Sequence, residues 1–449
     1  MQEVVKMNKK IIARWFISYG LQGIALSSLM VVISLFAVTG LYGNVRSATT
    51  AAALYSTGTL IGSLITGNIL DKKSIYDKIV FVGLIGGSIA TAVMPFSVNL
   101  QMYYMTVFAF GFAISMVNPA ITLYLSRKSN EESYRKFINE MNLLNSIGIT
   151  LGTFLGGAVL SFIPLTGEAN KMRFVFLIAA LIFSIGAVIS SDISVAKEEV
   201  KKKKQKRFTV SIRPVFANLR LIPRNFPRRI DFSIYGKEVK LYLAGIFVAF
   251  FGANLFFAPF PVFMKQVLNI SSEKIFLIYT YANIAATGAY FFTRYAMENF
   301  RDFSIMRTVF WIRIFGFLGI IVFGLTYNYY GIMLTFILIN FTWPFLYITS
   351  TIQATKLASE DNKGKVLGAF NMVISFAVIA ASFLSGMIAL KFGYYFAFAL
   401  GAVLLFVGER ITNRVAKIVP VPQEVVEKVI QRKQKRKTKF MKILKGGVR

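Results

Sequence analysis

The sequence predicts an all-α polytopic membrane protein: twelve transmembrane helices in two pseudo-symmetric six-helix bundles, with both termini cytoplasmic. Three observations point there. Of 449 residues, 55% are apolar and only 16% charged, against about one quarter charged in a soluble protein. The mean hydropathy is +0.60, and the charges cluster between long apolar runs instead of lying along helix faces. A basic segment from Lys197 to Lys240, containing Lys201-Lys202-Lys203-Lys204, Lys206, Arg207, Arg224, Arg228 and Arg229, separates two hydrophobic blocks. The expected organisation is therefore a bundle over 1–196, a cytoplasmic linker over 197–240, a second bundle over 241–413 and a basic tail over 414–449.

Runs of about twenty apolar residues, the length that crosses a bilayer as a helix, define the spans. The first half offers Trp15–Val38, Ala51–Leu70, Ile79–Pro95, Met102–Leu125, Leu143–Phe162 and Phe174–Ser191. The second offers Leu241–Met264, Ile275–Phe292, Val309–Leu325, Ile332–Thr351, Val366–Leu390 and Phe392–Val407, the last being the weakest. Long runs rich in Gly and Ala, with no alternating ten-residue pattern, favour helices over a barrel. The first run is too long for a signal-peptide core and is followed by further spans, so it reads as a membrane helix.

Basic residues orient the chain. With the N-terminus inside, the short inner loops carry Lys72, Lys73, Lys78, Arg127, Lys128, Arg135, Lys136, Arg294, Arg301, Arg307, Lys356, Lys363 and Lys365. The outer loops carry only Arg46, Lys171, Arg173, Lys265, Lys274 and Lys391. This is the positive-inside bias. The formal net charge of +31 has the same origin: the linker and tail face the anionic inner leaflet, and no nucleic-acid partner is expected. Val425, Val429, Phe440, Ile443 and Leu444 form an apolar strip in the tail that could lie on that leaflet. The absence of Cys and His removes thiol nucleophiles, imidazole catalysis and the usual soft metal sites. No catalytic constellation, metal site or cofactor is expected, and the chain is read as a monomer that is not an enzyme.

The halves also resemble each other. Laying the fifth span on the eleventh pairs Lys136 with Lys365, Asn142 with Asn371, Phe154 with Phe383, Leu155 with Leu384 and Gly157 with Gly386. Gly148, Gly152, Thr153 and Gly156 then meet Ala377, Ala381, Ser382 and Ser385. Internal repeats with a site at their interface are the usual construction of secondary transporters.

Polar side chains inside spans are costly unless they face protein or water. Asn and Gln fall in spans one, two, four, five, seven, eight, ten and eleven but not in three, six, nine or twelve. Every third helix thus reads as lipid-facing, and the others surround a polar centre. Candidate lining residues are Tyr19, Gln22, Asn118, Asn142, Asn254, Asn283, Asn340, Trp343 and Asn371, with Tyr55 and Tyr279 nearby. Bonding between neighbouring helices is the alternative role for such amides. No carboxylate lies within these spans. Glu298 is expected to pair with Arg294 at the surface, and Arg313, on the ninth span, to snorkel or make a structural contact.

The loop after span two reads Gly67-Asn68-Ile69-Leu70-Asp71-Lys72-Lys73, and here the chain resembles the major facilitator superfamily. The resemblance implies a helix-contact role for Gly67 and a gating role for Asp71 with Lys72 as its basic partner. Ile69 and Ser74 depart from the family pattern. The glycines Gly148, Gly152, Gly156 and Gly157 resemble the Gly-rich fifth helix of the family's exporters, with Thr153 at the usual Pro position. The implied function is secondary active or facilitative transport of a small organic solute across the cell membrane by alternating access, efflux of a drug or metabolite being one version. A lipid flippase or scramblase of the same fold, or a membrane sensor or scaffold, are the alternatives.

Overall fold

The computed structural model describes residues 9–128, 131–191, 236–358 and 362–418. The linker up to 235 and the tail from 419, with its apolar strip, lie outside the described residues. So do the side chains of Asp71, Lys72, Arg294 and Glu298. The helices are α1 (Lys9–Thr39), α2 (Val45–Lys72), α3 (Tyr76–Val93), α4 (Leu100–Ile114), α5 (Val117–Lys128), α6 (Glu131–Phe162) and α7 (Glu168–Ser190). After the linker come α8 (Lys237–Phe257), α9 (Phe260–Gln266), α10 (Ser272–Asn299), α11 (Asp302–Leu325), α12 (Tyr329–Phe341), α13 (Trp343–Lys356), α14 (Lys363–Phe392) and α15 (Tyr394–Ile418). No strand occurs among the described residues. In hydrocarbon a helix satisfies its own backbone, which is why this architecture follows from such apolar sequence.

Eleven stretches of these helices are long and apolar enough to cross a membrane. The remaining long helix, α2, has 28 residues and is diluted by Ser, Thr and Gly. Three rods are broken, α4–α5, α8–α9 and α12–α13, each beside proline: Pro119, Pro259 with Pro261, and Pro344. Proline has no N–H, and its ring excludes the carbonyl four residues earlier. The twelfth predicted span proves too short, since α15 continues to Ile418. It takes in Glu409, which is buried, with the Arg307 and Arg410 guanidinium groups each 3.5 Å away.

The two bundles repeat one packing scheme. In the first, α1 lies against α6 and α7, α2 against α4, and α3 against α4 and α7. In the second, α8 lies against α14 and α15, α10 against α12, and α11 against α12 and α15. Hydroxyls stitch helices inside each bundle: Ser18 Oγ donates to the Gly186 carbonyl at 2.9 Å, Tyr103 Oη to Ile33 at 2.9 Å and Tyr242 Oη to Ser350 at 2.7 Å. Around the α8–α9 break a phenyl core forms, with Phe256 stacked on Phe317 at 4.1 Å and Phe260 on Phe336 at 4.6 Å. Each such pair adds about 0.5–1.5 kcal/mol beyond burial alone.

The bundles meet along two seams, α2 with α14 and α6 with α10. Both seams are tight at the end of the molecule where α1 finishes, here the far end. A Cβ at Gly386 on α14 would strike Thr49 and Arg46 of α2, and one at Gly156 would strike the Phe276 ring of α10. Both seams part towards the opposite, basic end. There a Cβ at Gly67 on α2, Gly288 on α10, or Gly364 and Gly368 on α14 would meet nothing within 4 Å. The helix contact expected of Gly67 is therefore absent in this conformation, because the basic ends of the bundles stand apart.

Gly148 and Gly152 serve a different contact, inside the first bundle. A Cβ at Gly148 would collide with the Gly20 carbonyl of α1, and one at Gly152 with the Ile24 carbonyl and the Ser27 hydroxyl. Gly152→Val should lower the detergent melting temperature through overpacking worth about 1–3 kcal/mol. Gly67→Ala, with open space around it, should not lower it.

Candidate functional site

Where the seams begin to part, tyrosines from both bundles converge. Tyr19 on α1 is within electrostatic reach of Tyr290 on α10 and Tyr347 on α13, and Tyr55 on α2 is within reach of Tyr19. Trp343, half-exposed at the start of α13, stacks on Tyr347 with centroids 6.2 Å apart and planes 19° apart. Gln22 sits one turn from Tyr19, buried, and its Oε1 accepts no hydrogen bond. On the α6–α10 seam, Asn283 Nδ2 donates to Thr153 Oγ1 at 3.4 Å, and the Thr150 and Thr287 hydroxyls lie 3.3 Å apart. Tyr19 and Trp343 thus share a neighbourhood with Tyr347 and Tyr290, while Asn283 lies on the α6–α10 seam with Thr150 and Thr287. Tyr347, Tyr290, Thr150 and Thr287 are members that spacing alone does not reveal.

The other predicted residues are placed differently. Asn254 and Asn340 donate to the carbonyls of Phe250 and Phe336 on their own helices, at 2.8 and 2.9 Å. Each precedes a helix break by only a few residues. Asn118 is exposed beside Pro119 and accepts from Thr122 at 3.1 Å. Asn142 and Asn371 are exposed on the basic halves of α6 and α14. Tyr279 packs edge-on against Phe336, inside the second bundle.

Arg313 does not snorkel. It is 1% exposed on α11 and points into the break between α12 and α13. Its Nε donates to Thr342 Oγ1 at 3.0 Å and its Nη2 to the Ile339 carbonyl at 3.4 Å. Its guanidinium carbon lies 5.4 Å from the Trp343 ring centre and 5.7 Å from that of Phe257. Among the described residues no carboxylate pairs with it. A buried cation is tolerated here because carbonyl, hydroxyl and two aromatic faces replace water. The arrangement leaves a positive charge directly behind the indole that faces the site.

An ion pair and an arginine hydrogen-bond pair mark the two ends. At the far end Lys265 Nζ of α9 lies 2.6 Å from the Glu168 carboxylate of α7, bridging the bundles. At the basic end Arg127 Nη1 donates to the Leu70 carbonyl at 3.1 Å and to Tyr76 Oη at 2.9 Å. That bond closes the last turn of α2 next to Asp71, whose own side chain is outside the described set.

Two matching bundles, shut at one end, parted at the other and lined between by aromatics and amides, define a membrane transporter rather than an enzyme. The chain belongs to the Major Facilitator Superfamily, whose family model matches residues 15–382. It is therefore a multi-pass membrane protein. A variant of the nucleoside transporter NupG has a similar fold, at a TM-score of 0.68 and 13% identity over 90% of this chain and 99% of that one. A D-xylose–proton symporter gives 0.66 at 11% identity over 91% and 98%. A bacterial homologue of the human lysosomal transporter Spinster, crystallised inward-facing and occupied, gives 0.62 at 13% over 91% and 96%. No curated protein matches the chain in sequence.

If the guanidinium and the indole act as one unit, removing either removes the pair. A double-mutant cycle on Arg313→Met and Trp343→Leu should give a coupling energy of about 1–2 kcal/mol in unfolding experiments. Simple additivity would show the ring contact to be incidental.

Proposed function

We propose that the chain carries a small organic solute through the cell membrane by alternating access, working as a monomer. The observation that carries this reading is the wedge: both seams tight at the far end and parted at the basic end, with tyrosines of both bundles at its apex. The basic end belongs in the cytoplasm by the positive-inside bias, which makes this the inward-facing state. In this reading a first bundle, a basic linker, a second bundle and a basic tail follow one another along the chain, with α8 from Lys237 and α15 to Ile418 setting the second bundle's limits. Linker and tail rest on anionic inner-leaflet lipid. Asp71 and Lys72 would latch the cytoplasmic mouth when the wedge reverses, and Gly67 would then meet its neighbour.

The site also favours one class of cargo. Aromatic faces beside amide and hydroxyl groups suit flat or polyhydroxylated solutes. No carboxylate among the described residues stands with them, while Arg313 lies behind Trp343. Neutral or anionic cargo fits that field, and organic cations do not. Nucleosides and pentoses, carried by two of the structural neighbours, are the first solutes to try. In proteoliposome counterflow, Tyr347→Ala should cut exchange at least tenfold with expression unchanged. Asp71→Asn should slow exchange more than it weakens equilibrium binding. Equal exchange by wild type and Tyr347→Ala would remove that ring from the pathway.

The far-end ion pair tests the wedge itself. Lys265 and Glu168 are partly exposed, so their contact is worth about 0.2–1 kcal/mol, a shift of roughly 1.4- to 5-fold in a two-state population. The native chain has no Cys, so spin-label pairs can be introduced cleanly across α2 and α14. Lys265→Met should enrich a population with a shorter basic-end and longer far-end distance. A single distance at both ends under all conditions would exclude rocking.

A further inference from the structure

The far end of the first bundle contains a cavity of about 660 Å³, outside the central site, between the ends of α1 and α3 and the start of α7. Its polar contributors are Arg173, Asn170 and Ser97; Tyr42, Phe96 and Leu177 supply apolar wall. Ser97 is 2% exposed, and its hydroxyl has no hydrogen-bond partner. A buried hydroxyl left unpaired is costly, so an acceptor that reaches it is favoured. Arg173 Nη1 donates to Asn170 Oδ1 at 3.1 Å, and its guanidinium carbon lies 6.0 Å from the Phe36 ring centre. No carboxylate among the described residues pairs with Arg173, and its fork retains donors that match phosphate oxygens.

Below the cavity, Leu177, Leu181, Ile185 and Val188 are all exposed along one face of α7. The opposite face, with Val175, Phe176, Ala179 and Phe183, is buried in the bundle. A cationic pocket thus continues directly into an apolar strip on the outside of the bundle. Free phosphate would use only the pocket. A phospholipid uses both, the phosphate on Arg173 and Ser97 and an acyl chain along α7.

We propose that this cavity binds the headgroup of an anionic phospholipid in the leaflet opposite the basic linker and tail. The site does not depend on what the central pathway carries. The test uses the full chain in nanodiscs with a phosphatidylglycerol bearing a diazirine in its acyl chain. Photolabel should appear on the α7 peptide between Leu177 and Val188. Unlabelled phosphatidylglycerol should compete, whereas phosphatidylcholine and inorganic phosphate at equal concentration should not. Arg173→Gln, at an exposed position, should reduce α7 labelling about tenfold, the loss expected for a charge-assisted hydrogen bond. Ser97→Ala should reduce it less, with labelling elsewhere unchanged in both variants. No label on α7, equal labelling in Arg173→Gln, or equal competition by phosphatidylcholine or inorganic phosphate would each overturn the proposal.

Discussion

Close backbone contact at the far end of two seams is what the remaining structure depends on. Between helices in lipid there is no hydrophobic driving force of the kind that operates in water, so association rests on packing and hydrogen bonds. Glycine lets α14 approach α2 at Gly386 and α6 approach α10 at Gly156 and Gly157. Gly157 and Gly386 occupy equivalent places in the two repeats. The two bundles therefore meet through a symmetric pair of close contacts at the far end.

Helix breaks do the complementary work. Proline at Pro119, Pro259, Pro261 and Pro344 disrupts local backbone bonding, and the groups left over must be satisfied within the protein. Near the α12–α13 break Thr342 and Arg313 both donate to the Ile339 carbonyl. The same guanidinium lies against Trp343, which stacks on Tyr347. A local repair of the backbone thereby sets the charge and the ring geometry of the central site. The peripheral helices have another role. α7 presents a packed face to α1 and α3 and an apolar face outward, running from the rim of the far-end cavity.

Much of this was legible in order. Apolar run lengths find each helix but miss its polar ends: α6 begins at Glu131 and not Leu143, α11 at Asp302 and not Val309, and α15 continues past Val407 to Ile418 through a buried Glu409. The amide pattern separates inner from peripheral helices, yet it overstates how many amides reach the centre. Asn254 and Asn340 bond carbonyls one turn back on their own helices, and composition does not distinguish such local bonding from cavity lining. Tyr347, Thr150 and Thr287 join the site without any motif, since a tyrosine or threonine in an apolar run has many ordinary uses. Arg313 was visible as an intramembrane cation, but its partners come from α8, α12 and α13.

By itself, then, the amino-acid order determined the helices, their repeat and the basic side of the molecule, because each follows from local hydropathy, proline chemistry and charge bias. Only the tertiary structure decided which glycines carry the seams, which polar groups meet across them and which end stands open. Those depend on contacts between residues far apart in the chain, where a single carbonyl or ring from another helix settles what a side chain does.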